Sequence, residues 1–415
     1  MKKKCLDLLL IISLSTSYSL GNVHLKPGEW RGELQLRANI SLPVYIDVSH
    51  SEHGFIVTII NGKEKIKLSE YTLVGDSIQL PFPLFNTLLI FKANSSTSMN
   101  GRWVNLNKSN YSIPFSASYY SRSLKRKEKR NRKNLNNKAH TSLTGKWEVA
   151  FTAGKDTSYP ALGIFEQSNT SITGTFLTET GDYRFLQGIV KGTDFYLACF
   201  DGTHAFLFDG SINQDGKIIG QFYSGNHYST TWLAHRNELF ELNDPDSITF
   251  VQDTSAAITF QLKDFNNKEF HYPNEQTKDK VIILQLMGTW CPNCLDETLY
   301  FKKLYEKYHA DGLEIISVAY EMGKEFSDYS KHVKYYKERL GIDYTLLIGG
   351  NAKKQLCHEQ FPFLNDVVSF PTAIFIDRNG EIQRIHTGFS GPSTGQYYID
   401  YMESTEELVK QLLKN

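Results

Sequence analysis

Val281-Ile282-Ile283-Leu284-Gln285-Leu286-Met287-Gly288-Thr289-Trp290-Cys291-Pro292-Asn293-Cys294 is the stretch whose reading decides how the last third of the chain folds. Its first seven residues are apolar apart from Gln285, as expected of a strand covered on both faces. A helix is predicted from about Pro292 to Tyr308. Proline suits the first helical turn, where its missing N–H would have had no partner. Cys291 therefore falls at the helix start, beside unpaired backbone N–H groups and the positive end of the dipole. A cysteine so placed is favoured as a thiolate, the form that attacks disulfides. Cys294 lies one turn further on and is suited to resolve a mixed disulfide.

Two cysteines at this spacing are also half of a zinc site. The other half is lacking in the sequence. No second Cys-x-x-Cys and no closely spaced histidine pair follows, and His332, His358 and His386 are scattered. The reading is a redox pair, with no cofactor other than the Cys291–Cys294 disulfide itself and no metal.

The residues that follow alternate between strand and helix patterns. Strands are predicted at Leu313–Val318 and Tyr344–Ile348, with helices at about Ser327–Leu340 and Ala352–Glu359. A hairpin of Thr372–Asp377 and Glu381–His386 turns at Asn379-Gly380, and a last helix spans about Tyr397–Leu413. This is the grammar of an α/β layer domain, assigned to residues 257–415.

Trp290-Cys291-Pro292-Asn293-Cys294, then Glu297, then Ser369-Phe370-Pro371-Thr372, resembles the TlpA/ResA branch of the thioredoxin superfamily. The resemblance covers about residues 257–415. It implies a cis Pro371 facing the dithiol, whose ring blocks metal binding and whose neighbour's backbone pairs with substrate. It also implies substrate contacts by Trp290, Pro292, Phe370, Pro371 and Gly388; the alternative for the Gly388 loop is a plain strand-to-helix connection. There are two departures. Thioredoxin carries a buried Asp six residues before its first cysteine, where this chain has Gln285. DsbA-class oxidants carry His between the cysteines, where this chain has neutral Asn293. Glu297, one turn beyond Cys294 on the same face, either assists proton transfer as Cys294 attacks or favours the helix dipole. A peroxiredoxin would need Pro-x-x-x-Thr-x-x-Cys, but Leu284 stands seven before Cys291 and Thr289 two before, so peroxidase activity is not expected. Cys357 and Cys199 read as buried thiols, with a third redox role for Cys357 as the rival.

The first half repeats itself. Gly28-Glu29-Trp30 returns as Gly145-Lys146-Trp147, and Pro43, Gly75 and Phe91 return at the same spacing as Pro160, Gly192 and Phe208. Each copy is a series of short strands with turns at pairs such as Asn61-Gly62 and Asp201-Gly202. The expectation is multidomain: two repeated all-β units, barrel or sandwich, at 22–120 and 141–240, then a linker at 241–256 and the thioredoxin-fold domain. Two-part β regions of this kind precede TlpA-like domains in exported proteins of the Bacteroidetes type, a resemblance that brings no ligand with it. Asp182, Arg184, His204 and His227 stand beside turns of the second copy, and turn chemistry is the preferred account of them. The basic stretch 121–140 reads as a solvated linker rather than a dock for an acidic partner.

Lys+Arg and Asp+Glu are both 45, which gives no general pull toward nucleic acid. Lys2-Lys3-Lys4, the apolar run from Leu6 to Leu14, and the small residues up to Gly21 read as a signal peptide over 1–21. Cys5 precedes that run and so is not placed as a lipid anchor. The expectation is a periplasmic thiol–disulfide oxidoreductase that reduces protein disulfides and draws electrons from an upstream membrane thiol donor. The rival is a β module that binds a ligand or partner, with the dithiol secondary.

Overall fold

The computed structural model describes residues 24–52, 54–126, 142–152, 154–252 and 258–415. The expected signal peptide, Cys5 and most of the basic stretch lie outside the described residues.

The first repeat comprises β1 (Gly28–Arg37), β2 (Ile40–Ser51), β3 (Gly54–Asn61), β4 (Glu64–Leu68), β5 (Thr72–Val74), β6 (Ser77–Pro81), β7 (Thr87–Ser95), β8 (Ser98–Asn105) and β9 (Ser112–Tyr119). The second follows it strand for strand: β10 (Gly145–Phe151), β11 (Tyr159–Ser168), β12 (Ser171–Thr178), β13 (Gly181–Asp182), β14 (Leu186–Lys191), β15 (Asp194–Phe200), β16 (Ala205–Ile212), β17 (Ile218–Ser224) and β18 (Tyr228–Arg236). Trp30 and Trp147 occupy matching core positions. The indole of each donates to the carbonyl four residues back, Lys26 and Leu143, at 2.9 Å.

The two copies differ in closure. In the second, β12 pairs with both β11 and β14, so eight strands close into a barrel. This is possible because β13 is only two residues long, leaving Ser171–Gly174 free to meet β14. In the first, β4 takes five residues of the β3 edge, and the sheet stays an open half-barrel ending at β4 and β5. The expectation of a barrel or sandwich in each copy therefore resolves into one closed barrel and one open sheet. The barrel fills the open concavity: Ala198, Phe200, Ala205 and Leu207 join the core of the first sheet. Thr87 Oγ1 and Trp103 Nε1 both donate to the Gly202 carbonyl there, at 2.6 and 3.1 Å. The barrel's own interior is filled by Phe151, Phe176, Phe208, Phe222 and Trp232.

The described part of the connection that follows is fastened to its neighbours. Asp244 caps a short helix, α1 (Pro245–Ile248), and Asp246 pairs with His386 at 2.6 Å.

The third unit holds β19 (Phe260–Asp264), β20 (Glu269–Tyr272), β21 (Val281–Met287), α2 (Pro292–Tyr308), β22 (Leu313–Glu321), α3 (Phe326–Leu340), β23 (Thr345–Asn351), α4 (Lys354–Gln360), β24 (Thr372–Ile376), β25 (Ile382–Thr387) and α5 (Gln396–Lys414). Its sheet order is β20-β19-β23-β22-β21-β24-β25, with β21, β22 and β23 parallel. This is a thioredoxin-like arrangement with an added edge hairpin, β19–β20, which the sequence reading did not include. Alternation along the central β21 sends Val281, Ile283 and Met287 to the core beneath α2, α3 and α5. Ile282, Leu284 and Leu286 go to the opposite core, which α4 covers. Gln285 falls on the α2 side, the one polar residue in a strand buried throughout.

Candidate active site

Cys291 is the N-cap of α2. Its Sγ accepts a hydrogen bond from the Cys294 backbone N–H at 3.2 Å and donates to the Phe370 carbonyl at 3.6 Å. Both cysteines are free thiols. Cys291 is 7% exposed and Cys294 is fully buried. Burial drives the Cys294 thiol well above the usual cysteine range, and the charges of Cys291 and Glu297 add to this. Cys294 must therefore give up a proton before it can act as a nucleophile.

The residues expected beside the dithiol come together there. The Phe370–Pro371 bond is cis. Gly388 N–H donates to the Pro371 carbonyl at 2.9 Å, which brings the Gly388 loop against the cis-proline turn. Trp290 turns its indole inward to donate to the Tyr320 carbonyl at 2.9 Å, and the Tyr320 ring stacks on Phe370. Pro292 is buried in the first turn of α2.

Glu297 is fully buried beneath Cys294. It accepts from Gln285 Nε2 at 2.9 Å and from Tyr401 Oη at 2.8 Å. Burial pushes its carboxyl up to about 7, against the lowering effect of those two bonds. The acid missing from position 285 is thus present on the helix, held by the glutamine that stands in its place. Gln285 is itself fixed by Ser317 Oγ at 2.7 Å.

Two groups of residues escaped sequence reasoning. Glu321, at the end of β22, accepts from the Thr289 N–H at 2.9 Å and the Thr289 hydroxyl at 2.7 Å, clamping the loop before Cys291. Nothing in the local sequence marks this pair, which parallel strand register brings together. The second group corrects the turn-chemistry reading of Asp182 and Arg184. Both are buried against the dithiol loops. Arg184 pairs with Asp296 on α2 and with Glu64 of the first repeat, the latter at 2.6 Å. Burial alone would lower its affinity for a proton, but Asp296, Glu64, Asp201 and Asp182 hold it firmly charged. Of the remaining two, His204 bonds Asp201 within its own turn, whereas His227 bonds Tyr111 of the first repeat, which turn chemistry also did not anticipate.

Cys199 sits in the barrel core and Cys357 in the core beneath α4, away from the dithiol. Burial raises Cys357 to about 12, so it is a thiol at neutral pH. Among the described residues, no group of three or more His, Cys, Asp or Glu is arranged to hold a metal ion.

Residues 254–385 match the family model described as the AhpC/TSA family. The chain is 30% identical over 140 residues to thiol-disulfide oxidoreductase ResA of Geobacillus thermodenitrificans, covering 34% of this chain and 72% of that protein. It is 28% identical over 163 residues to thiol:disulfide interchange protein DsbE of Escherichia coli, covering 39% and 78%. Among solved structures, a putative thiol:disulfide interchange protein DsbE from Chlorobium tepidum covers 40% of this chain and 99% of its own, with 20% identity and a TM-score of 0.30.

Proposed function

Because the chain belongs to the ResA-type thiol–disulfide oxidoreductases of the thioredoxin superfamily, we propose that it is an exported enzyme that reduces disulfides of periplasmic proteins through Cys291 and Cys294. The observation that carries this reading is the position of Cys291 as the α2 N-cap, with Cys294 one turn below it and Glu297 buried one turn further.

The Cys291 thiolate attacks one sulfur of the substrate disulfide. A bond forms between them, the substrate S–S bond breaks, and the second substrate sulfur leaves as a thiolate that takes up a proton. Cys294 then loses its proton and attacks Cys291 Sγ. The mixed disulfide breaks and the first substrate sulfur leaves, to be protonated in turn. Two electrons have passed to the substrate and a Cys291–Cys294 disulfide remains. Glu297 is the group we assign to draw the Cys294 proton inward, because its carboxyl titrates near neutrality beside a thiol that cannot ionise unaided.

Returning the disulfide to the dithiol requires a donor of two electrons, which we place in the membrane. Asn293 supplies no cation between the cysteines to stabilise the reduced form, which favours reduction of substrate over oxidation. Export rests on the sequence of residues 1–21. Among the described residues no helix is long and apolar enough to cross a membrane. Redox equilibration against glutathione tests the direction. A potential nearer to about −270 mV than to about −120 mV is expected, and a value at the oxidising end would overturn the reductase reading.

A further inference from the structure

The barrel segment Glu179–Arg184 lies across the loops that frame Cys291. Ser369 Oγ, just before the cis bond, donates to the Thr180 carbonyl at 2.9 Å. Asn293, between the two cysteines, donates through Nδ2 to the Asp182 carbonyl at 3.2 Å. The Asp182 carboxylate accepts from Gly391 N–H at 2.6 Å and Ser393 Oγ at 3.0 Å. Gly388 lets this backbone approach: a Cβ there would stand 2.9 Å from the Thr180 carbonyl carbon and 3.0 Å from the Glu179 oxygen. Helix start, cis-proline loop and Gly388–Ser393 loop are therefore all capped by one segment of another unit.

Disulfide exchange needs the substrate sulfurs in line with Cys291 Sγ, and Cys291 is only 7% exposed between loops that this segment holds. The segment meets these loops through hydrogen bonds and ion pairs, and units of one chain move relative to one another unless the interface between them is large and hydrophobic. Arg184 completes the hold by bridging Asp296 of the redox unit to Glu64 of the open sheet.

We propose that Glu179–Arg184 is a built-in cover seated in the substrate groove, with Asp182 as its latch. The dithiol reacts with protein disulfides only when the barrel segment withdraws. This rests on the reductase reading above for its consequence, but not for its geometry.

The test uses the full chain, reduced beforehand. Alkylation of Cys291 by iodoacetamide, read by peptide mass, reports access without requiring redox chemistry. Single-turnover reduction of insulin reports access and chemistry together. Asp182→Ala removes both latch bonds and is expected to speed both by roughly tenfold or more, tenfold being about the factor for loss of a single charged hydrogen bond. Ser393→Ala removes one latch bond from the redox side, leaves the barrel sequence untouched and should speed both by a smaller factor. Unchanged or slower alkylation in both variants, with native circular dichroism, would overturn the cover. Faster alkylation with slower insulin reduction would also overturn it, since the segment would then be building the substrate site. Faster alkylation with no insulin reduction by any form, wild type included, would uphold the cover and sink the reductase reading alone.

Discussion

The two faces of the first turns of α2 have opposite fates. Asn293 and Asp296, three apart, point outward and bind the barrel segment. Cys294 and Glu297, also three apart and each displaced by one residue, point inward. One helical period thus serves two tasks: the inner pair is the one proposed to move electrons and protons, and the outer pair holds another unit in place. Glu297 is fully buried and Asp296 largely so, and both are pushed up, Asp296 to about 6 and Glu297 to about 7. Burial is the leading cause for each. The partners differ, because Asp296 is paired directly with the Arg184 guanidinium, whereas the groups bonded to Glu297 are the neutral side chains of Gln285 and Tyr401 and the cation acting on it, Arg384, makes no bond to it. The lesson is that a raised carboxyl beside a dithiol is not by itself a proton shuttle; what it faces decides.

The largest effect expected from breaking this division is at Cys294. Cys294→Ser should abolish turnover and accumulate a mixed disulfide between Cys291 and a protein substrate, visible on non-reducing gels. Cys291→Ser should accumulate none. Equal trapping by the two variants would mean that inner and outer positions along this helix do not divide the chemistry as proposed.

Next comes the acid pair. Glu297→Gln should slow the resolving step by roughly 100-fold, the lower range for loss of a positioned base, while leaving the first attack unchanged. The wild-type resolving rate should rise with pH and level above about 7, and the variant should lose that limb. Asp296→Asn should leave the resolving step within about threefold of wild type, as a group facing away from the sulfurs would. Rapid-quench measurement of the mixed disulfide separates the steps. Similar slowing by both variants would erase the distinction between the faces.

Stability should show the converse ranking. Arg184→Met leaves Asp182, Asp201, Glu64 and Asp296 crowded without their shared cation. It should cost about 3 kcal/mol or more in urea unfolding at neutral pH. The loss should shrink at acid pH, as the carboxyls protonate and their repulsion ends. A variant as stable as wild type at pH 7 would show that the outer face carries little load.

The inner face of this site was legible in the sequence, and the outer face was not. A strand, a cysteine pair and a proline at the first helical turn are local signals, and Glu297 follows from helical spacing. The repeat was legible because Trp30 and Trp147 fill equivalent core positions. Closure of the second copy was not, because it turns on β13 being two residues long where β4 is five. Periodicity and turn residues place strands but do not say which free edge another strand will take. Asp182 and Arg184 were assigned to turn chemistry because their partners Asp296, Gly391 and Ser393 lie more than 100 residues away. The Asp182 side chain does make a local turn bond, to Arg184 N–H at 2.6 Å, so the local reading was incomplete rather than baseless. Thr289 and Glu321 escaped for the same reason, being joined only through the parallel β21–β22 register.

The pH dependence of stability is the most discriminating measurement for the two acids. A carboxyl whose folded value exceeds its unfolded one binds its proton more tightly in the native state. Between the two values the native state carries more protons than the unfolded chain, so stability falls as pH rises through that window and is flat above it. This is the reverse of the usual salt-bridged carboxylate. For Glu297 the window runs from about 4.5 to about 7, and for Asp296 from about 3.8 to about 6. Glu297→Gln should therefore flatten the decline mainly above pH 6, where Asp296 has already ionised. Asp296→Asn should flatten it mainly below pH 5, where Glu297 is still largely protonated. Urea midpoints across pH 4 to 8 read the two slopes. A wild-type-minus-variant difference that grows with pH for either residue would show that its carboxyl is held down by its partners in the fold, and not raised by burial.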